Sequence, residues 1–300
     1  MRLRFHTLDV FTRAKFAGNP LAVVLDADRL DGAEMQNIAR EFNLSETVFV
    51  LEPRDRVNTA RLRIFTPASE LPFAGHPTIG AAVLIARTRA ADILARQGLV
   101  VTLEEEVGVL RCEVVERGGA PLARFTTPRP PVRIGEAPPL DLLARSIGLE
   151  AGDIGFDGHT PSVYSAGVEF AFVPVGTRDA LDRARPDPAL FSSAMGAASG
   201  AYLYTRDTVE ESSAVCARMF TNGLGIGEDP ATGSAAAAFA GVAHAFEAPE
   251  DGEHELIIEQ GYKMGRPSRI ILGLSVAAGR LVGVSVAGHA IGVSQGELEL

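Results

Sequence analysis

The feature that most limits what this chain can fold into is a run of small apolar residues in its last third. From Gly225 to Phe246 it reads GIGEDPATGSAAAAFAGVAHAF: glycines, two acids, a proline, then a helix expected over about 234–246 with almost no polar face. A helix apolar on every side has to be buried in the middle of a domain. Its start is polar, since Asp229, Thr232 and Ser234 are all capable caps. A buried helix start carries free backbone N–H groups and the positive end of the dipole, which together attract an anion. A well-capped core helix with no ligand would explain the same residues, so the case for a ligand rests on a second copy of the pattern.

That copy runs from Phe73 to Ala86, FAGHPTIGAAVLIA. HPTIGAA from His76 lies over DPATGSA from Asp229 without gaps, at an offset of 153 residues, so that Pro77 matches Pro230, Gly80 matches Gly233 and Ala82 matches Ala235. A further pair, AGNPLAVV from Ala17 and AGVEFAFV from Ala166, has an offset of 149. Similar offsets in the same order point to an internal duplication. The expectation is two domains, each built on one buried helix, with both helix starts turned into a shared cleft.

A chain of 300 residues suits two domains with a core each. The net charge of −10 argues against nucleic acid and anionic membranes as partners. A small acidic substrate remains open, because helix starts supply local positive potential. The start MRLRFHTLDVF has no apolar run long enough for a signal peptide, and nothing in the sequence reads as a membrane span. Cys112 and Cys216 read as buried free thiols of a cytoplasmic protein in preference to a disulfide.

Many short strands are expected around the two helices. Strand candidates are 3–11, 21–25, ETVFVL at 46–51 and 61–65, then a hairpin over 99–103 and 107–115. Helices are expected over 31–42, with Asp31 and Glu34 as a capping box and Asn43 as the stop, and over 78–89. The proline-dense stretch 128–139 reads as a domain boundary. Beyond it come a short helix over 140–147, strands within 162–175, and two short helices within 178–198. Further strands fall at 201–205, 213–220, 255–259, 269–276, 280–287 and 289–294. Short strands with one central helix per half predict an α+β fold, not alternating βαβ units. The expected domains are 1–127 plus 288–300, and 128–287.

Glu46 heads the apolar strand ETVFVL. A carboxylate facing a closed apolar cleft is raised in pKa and can act as acid and base near neutrality, whereas an exposed strand-end glutamate does neither. His76 and Asp229 stand at matched positions in the two repeats, as substrate contacts or as simple turn residues. Other constellations fail. Gly223-Leu224-Gly225-Ile226-Gly227 is spaced G-x-G-x-G and is followed by Glu228 and Asp229, which would repel a phosphate. The six histidines and two cysteines show no metal-ligand spacing, so neither metal nor cofactor is expected. Lys263 and Arg266 in QGYKMGRPS read as a turn before a strand, with an anion contact as the alternative.

Taken together, DVFTRAKFAGNPLAVV, NLSETVFV, RIFTPASELPFAGHPTIGAA, GIGEDPATGSAAA and QGYKMGRPSRI resemble the PhzF-like (phenazine-biosynthesis-like) family, in order from residue 9 to 270. The resemblance implies a diaminopimelate-epimerase-like fold: two similar domains, each a β-barrel-like sheet around a central helix, with the active site in the cleft between them. The best-understood members of the family isomerise trans-2,3-dihydro-3-hydroxyanthranilate without a cofactor. Their general acid/base glutamate falls on Glu46. Their substrate-contacting histidine, aspartate and serine fall on His76, Asp229 and Ser234, with backbone groups at Gly75 and Gly233 beside them. The epimerase branch uses two cysteines, and the matching positions here are Ala74 and Pro230, so two-thiol racemisation is not available.

The expectation is therefore a cofactor-independent isomerase that moves a proton on a small carboxylate-bearing substrate and pairs as a homodimer like its relatives. A protein of the same fold that binds without turnover, and a cofactor-free epimerase or dehydratase, are the alternatives. Solvent deuterium entering the ligand separates the first alternative, and product chirality the second.

Overall fold

The β-branched and aromatic runs form strands, and the two small-residue stretches form the two 15-residue helices, in a computed structural model that describes residues 1–223 and 226–300. Leu224 and Gly225, at the head of the GIGEDPATGS run and inside the G-x-G-x-G spacing, lie outside the described residues. The chain divides into two units: Met1–Pro128 with Val286–Leu300, and Arg129–Ser285.

The first unit contains β1 (Arg2–Val10), β2 (Asn19–Val24), α1 (Gly32–Phe42), β3 (Glu46–Leu51), β4 (Ala60–Phe65), β5 (Glu70–Leu71), α2 (Gly75–Arg89), α3 (Ala91–Leu94), β6 (Leu99–Glu105), β7 (Gly108–Arg117) and β8 (Ala120–Thr126). The second contains β9 (Val132–Gly135), α4 (Leu140–Ser146), β10 (Ser162–Ser165), β11 (Glu169–Pro174), α5 (Arg178–Arg183), α6 (Pro188–Met195), β12 (Gly200–Thr205), β13 (Val215–Thr221), β14 (Glu228–Asp229), α7 (Gly233–Glu247), β15 (Gly252–Gln260) and β16 (Ser268–Ala277). The last strand, β17 (Arg280–Glu299), begins in the second unit and ends in the first, where it pairs antiparallel with β1. It is one strand where the sequence suggests two, because Gly288 continues the extended chain. That glycine is needed, since a Cβ there would come within 2.2 Å of the Phe11 ring.

In the first unit α2 packs against β1, β2, β3, β6, β7 and β8, and its residues from Gly75 to Ala86 are buried. Gly80 allows the close approach: a Cβ there would lie 2.5 Å from Leu21 and 2.9 Å from Val10. α1 has the predicted capping box, with Glu34 N–H donating to Asp31 Oδ1 at 2.8 Å, and it ends on Asn43 at φ 51°. Its Met35, Ile38 and Ala39 face form a separate cluster with Leu3, Val24, Phe49 and Phe65. In the second unit α7 packs against β9, β10, β11 and β16. Phe239 of that helix meets the rings of Phe172, Tyr202 and Tyr204. The other face of this sheet is covered by α4, α5 and α6 through Leu143, Leu181 and Phe191.

The ladders of the two units repeat. β2 pairs parallel with β3, β3 antiparallel with β4, β4 antiparallel with β5 and parallel with β6. β11, β12, β13, β14 and β15 pair in the same way. The registers match individual residues. Thr47 pairs with Phe65 and Phe65 with Glu70; Ala201 pairs with Phe220 and Phe220 with Glu228. Ala60 pairs with Leu103, and Val215 with Ile258. On that frame Glu46 corresponds to Gly200, Arg63 to Arg218, Glu104 to Glu259 and Glu105 to Gln260.

Two expectations need correction. The central helices start at Gly75 and Gly233, so the counterpart of His76 is Ser234 and Asp229 corresponds to Leu71. The HPTIGAA-over-DPATGSA alignment is five residues out. Its two prolines mislead: Pro77 sits inside the first turn of α2, whereas Pro230 precedes α7. A first turn does not use its N–H groups in helix hydrogen bonds, so proline fits there as well as in a loop. By the same frame the residue matched to Ala74, the N-cap of α2, is Thr232, the N-cap of α7. Second, the 128–139 stretch is not only a connection, because Val132–Gly135 forms β9 and pairs with β10.

Candidate active site

β2 and β3 run parallel with Leu21 opposite Glu46, which sets Asn19 at the start of one strand and Glu46 at the start of the next. Against them lies the first turn of α2. His76 Nε2 is 3.3 Å from Glu46 Oε2, with side chains 3% and 12% exposed. The other ring nitrogen, Nδ1, accepts from Asn19 Nδ2 at 3.2 Å. Burial pushes the His76 imidazole down to about 3, so the ring is neutral at pH 7. A neutral ring that accepts at Nδ1 carries its proton on Nε2, the atom turned toward Glu46. The contact is therefore between a neutral imidazole and a carboxyl group, not a salt bridge, and the two atoms lack hydrogen-bond alignment.

Gly75 is the first residue of α2 and is buried; the N-cap, Ala74, has no side chain with which to cap the helix. Cys112, on β7 of the same unit, is a buried free thiol, as is Cys216 on β13, and burial raises the pKa of both. Neither is a nucleophile at neutral pH.

In the second unit the start of α7 is arranged differently. Asp229 is buried at the end of β14, four residues before the helix. Thr232, the N-cap, makes no cap hydrogen bond and turns its hydroxyl to Asp229 Oδ2. The whole turn is held by Gln260. Its Nε2 donates to the Asp229 carbonyl at 2.8 Å, and its Oε1 accepts from Thr232 N–H at 3.1 Å. Ser268 Oγ donates to the Pro230 carbonyl at 3.1 Å. Gly233 is buried and Ser234 is half-buried in the first turn. Thr232, at the N-cap position, does not make the side-chain cap expected of it. The QGYKMGRPS stretch is a 3₁₀ turn over Tyr262–Met264 between β15 and β16, with Lys263 Nζ 4.0 Å from Asp182.

Within the first unit the structure thus brings together Glu46, His76 and Gly75, and within the second Asp229, Gly233 and Ser234. Asn19, Gln260 and Ser268 escaped the sequence reading. Asn19 sat in view inside AGNP but reads as a turn breaker; only the parallel β2–β3 ladder gives it a partner. Among the described residues no group of three or more His, Cys, Asp or Glu side chains is placed to hold a metal ion, and no helix is long and apolar enough to cross a membrane.

Comparison with known proteins agrees across the length of the chain. The family model described as phenazine biosynthesis-like protein, PhzC-PhzF, matches residues 8–296. An uncharacterized isomerase of Mesorhizobium japonicum is 46% identical over 297 residues, 97% of this chain and 96% of that protein. A trans-2,3-dihydro-3-hydroxyanthranilate isomerase of Pseudomonas aeruginosa is 33% identical over 302 residues, 99% of each. The crystal structure of a Bacillus anthracis phenazine biosynthesis protein of the PhzF family superposes with a TM-score of 0.89 at 29% identity, covering all of both chains.

Proposed function

The chain belongs to the PhzC-PhzF family, proteins similar to it include named isomerases, and from that premise we propose a cofactor-free proton shift carried by Glu46 on a small carboxylate-bearing substrate. The observation that supports this most is the buried Glu46–His76 contact at 3.3 Å. Glu46 is the group there that can both take up and return a proton. His76 is neutral and offers Nε2–H to whatever lies against Glu46, so it steadies developing negative charge without competing for the proton.

The shift balances without an oxidant or a second base. A C–H bond of the substrate breaks and its proton passes to a Glu46 oxygen. The electron pair delocalises over an adjacent double bond, and the same carboxyl returns the proton to a different carbon. The start of α2 suits a substrate carboxylate, since this buried 15-residue helix has no side-chain cap at its N-cap residue, and the start of α7 has the same character. Gly75 and His76 on one, and Asp229, Gly233 and Ser234 on the other, are the proposed substrate contacts. The dihydro-hydroxyanthranilate named for the Pseudomonas aeruginosa relative is the first substrate to try.

The experiment is turnover of that compound in deuterated water, followed by NMR, with wild type and Glu46→Gln. Product formed by wild type and not by the variant supports the reading. Equal turnover by both moves the base elsewhere, and binding with neither product nor exchange in wild type returns the protein to a binding role.

A further inference from the structure

Glu105, the last residue of β6, is the counterpart of Gln260 and is buried behind the first turn of α2. Its Oε1 is 2.7 Å from Thr78 Oγ1, and the same hydroxyl is 2.8 Å from the Ala74 carbonyl. A threonine hydroxyl has one proton. The Ala74 carbonyl already accepts from Thr78 N–H at 3.2 Å; if Thr78 gave its hydroxyl proton to a Glu105 carboxylate, that carbonyl would also face a hydroxyl lone pair at 2.8 Å. The arrangement that satisfies all three oxygens is a carboxylic acid: Glu105 O–H donates to Thr78 Oγ1, and Thr78 O–H donates to Ala74 C=O. The matched position in the second unit agrees. Gln260 is a neutral side chain of the same shape, and it too braces the N-cap of its unit's central helix.

We propose that Glu105 is a positioning residue of the candidate site, working as a neutral acid that fixes Ala74 and with it Gly75 and His76, and that its ionisation in alkaline solution loosens this turn. This deepens, and rests on, the role given above to His76. Burial raises the Glu105 carboxyl to about 8, outweighing the Thr78 hydrogen bond, which acts to lower it. Among the described residues, the Thr78 hydroxyl is the compensation an ionised form would have. The titratable group that faces it is the Cys112 thiol from β7; from α2 the contact is the Thr78 hydroxyl. Of the cations on the neighbouring strands, Arg61 stands opposite Glu104 and Arg63 pairs with Glu70, while Arg111 on β7 is exposed. None of these makes an ion pair or hydrogen bond with Glu105.

The test needs no substrate, so it stands apart from the fate of the Glu46 reading. Infrared difference spectra of wild type against Glu105→Gln should show a protonated-carboxyl band at pH 6 that disappears by pH 10. The ring ¹⁵N signals of His76, followed by NMR, should move over the same range in wild type and stay fixed in Glu105→Gln, which keeps shape and neutrality. Thr78→Val provides the second variant. It removes the acceptor, so the carboxyl band should shift and the His76 signals should depart from their wild-type positions already at pH 6. No carboxyl band at pH 6, or His76 signals that follow pH identically in wild type and Glu105→Gln, would overturn the proposal. If these results hold while Glu46→Gln retains turnover, the functional reading fails and the Glu105 brace stands.

Discussion

The two units share a frame and divide the chemistry. Both bind an Arg–Glu pair beside a phenylalanine: Arg63 to Glu70 by two bonds of 2.6 Å, with its guanidinium 5.1 Å from the Phe65 ring, and Arg218 to Glu228 at 2.8 and 2.9 Å, with its guanidinium 4.6 Å from Phe220. Both tie down a loop with a strand glutamate. Glu104 accepts from the N–H groups of Arg54 and Asp55, and Glu259 from those of Val209 and Glu210. At the heads of the matched strands β3 and β12 the likeness ends. The first has Glu46, and the second has Gly200, where a Cβ would sit 2.1 Å from the Phe220 carbonyl. The second residue of the first central helix is a histidine, that of the second a serine. Duplicated scaffolding has been kept where it holds strands and loops, and the buried glutamate–histidine contact is found in the first copy, where the second has a glycine and a serine.

That contrast can be broken experimentally, beginning with the largest effect. Glu46→Gln should lower the rate of the proposed proton shift by about 10²–10⁴-fold while leaving the melting temperature nearly unchanged, as stopped or continuous turnover assays and calorimetry would show. A loss of stability comparable to the loss of rate would make Glu46 a packing residue like its counterpart.

The Arg–Glu pairs come next, because the same geometry is buried to different depths. The Arg218 and Glu228 side chains are 5% and 18% exposed, and Arg218 also donates to the carbonyls of Leu181 and Ala184. Arg63 and Glu70 are 29% and 35% exposed. Arg218→Ala should cost about 3–5 kcal/mol, the penalty for stranding a buried partner. Arg63→Ala should cost about 1 kcal/mol or less, since water can reach what remains. Denaturant unfolding of both variants would check the ratio; equal losses would mean that burial does not set the difference. At the matched strand head, Gly200→Ala should destabilise by about 1–3 kcal/mol through overpacking against backbone, measured in the same way.

The smallest effect is a pH dependence of stability, and its sign follows from two buried groups in the first unit. His76 is lowered to about 3 from an ordinary 6.5, so the unfolded chain binds the extra proton between those values and stability falls as pH drops below about 6.5. His159 and His289, also lowered mainly by burial, act in the same direction. Glu105 is raised to about 8 from 4.5, so the folded chain binds the extra proton and stability falls as pH rises from about 4.5 to about 8. The opposing slopes, each near 1.4 kcal/mol per pH unit at most, offset one another between about 4.5 and 6.5. Melting curves across pH should show a broad maximum there, and Glu105→Gln should abolish the alkaline decline.

By itself the sequence determined the α+β class, the duplication, the two buried central helices and the residue types at their starts. Patterning does this because a helix apolar all round, or a strand of β-branched residues, has to be covered wherever it lies. The tertiary structure decided partners and registers. His76 matches Ser234 and not Asp229, because the point where each helix begins is set by its preceding strand pair and not by the prolines nearby. Asn19 orients the His76 ring only because β2 and β3 run parallel with Leu21 opposite Glu46. Glu105 and Gln260 lay outside the strands read from the sequence; burial, and the hydroxyl that Thr78 sets between Glu105 and the Ala74 carbonyl, are features of the tertiary structure alone.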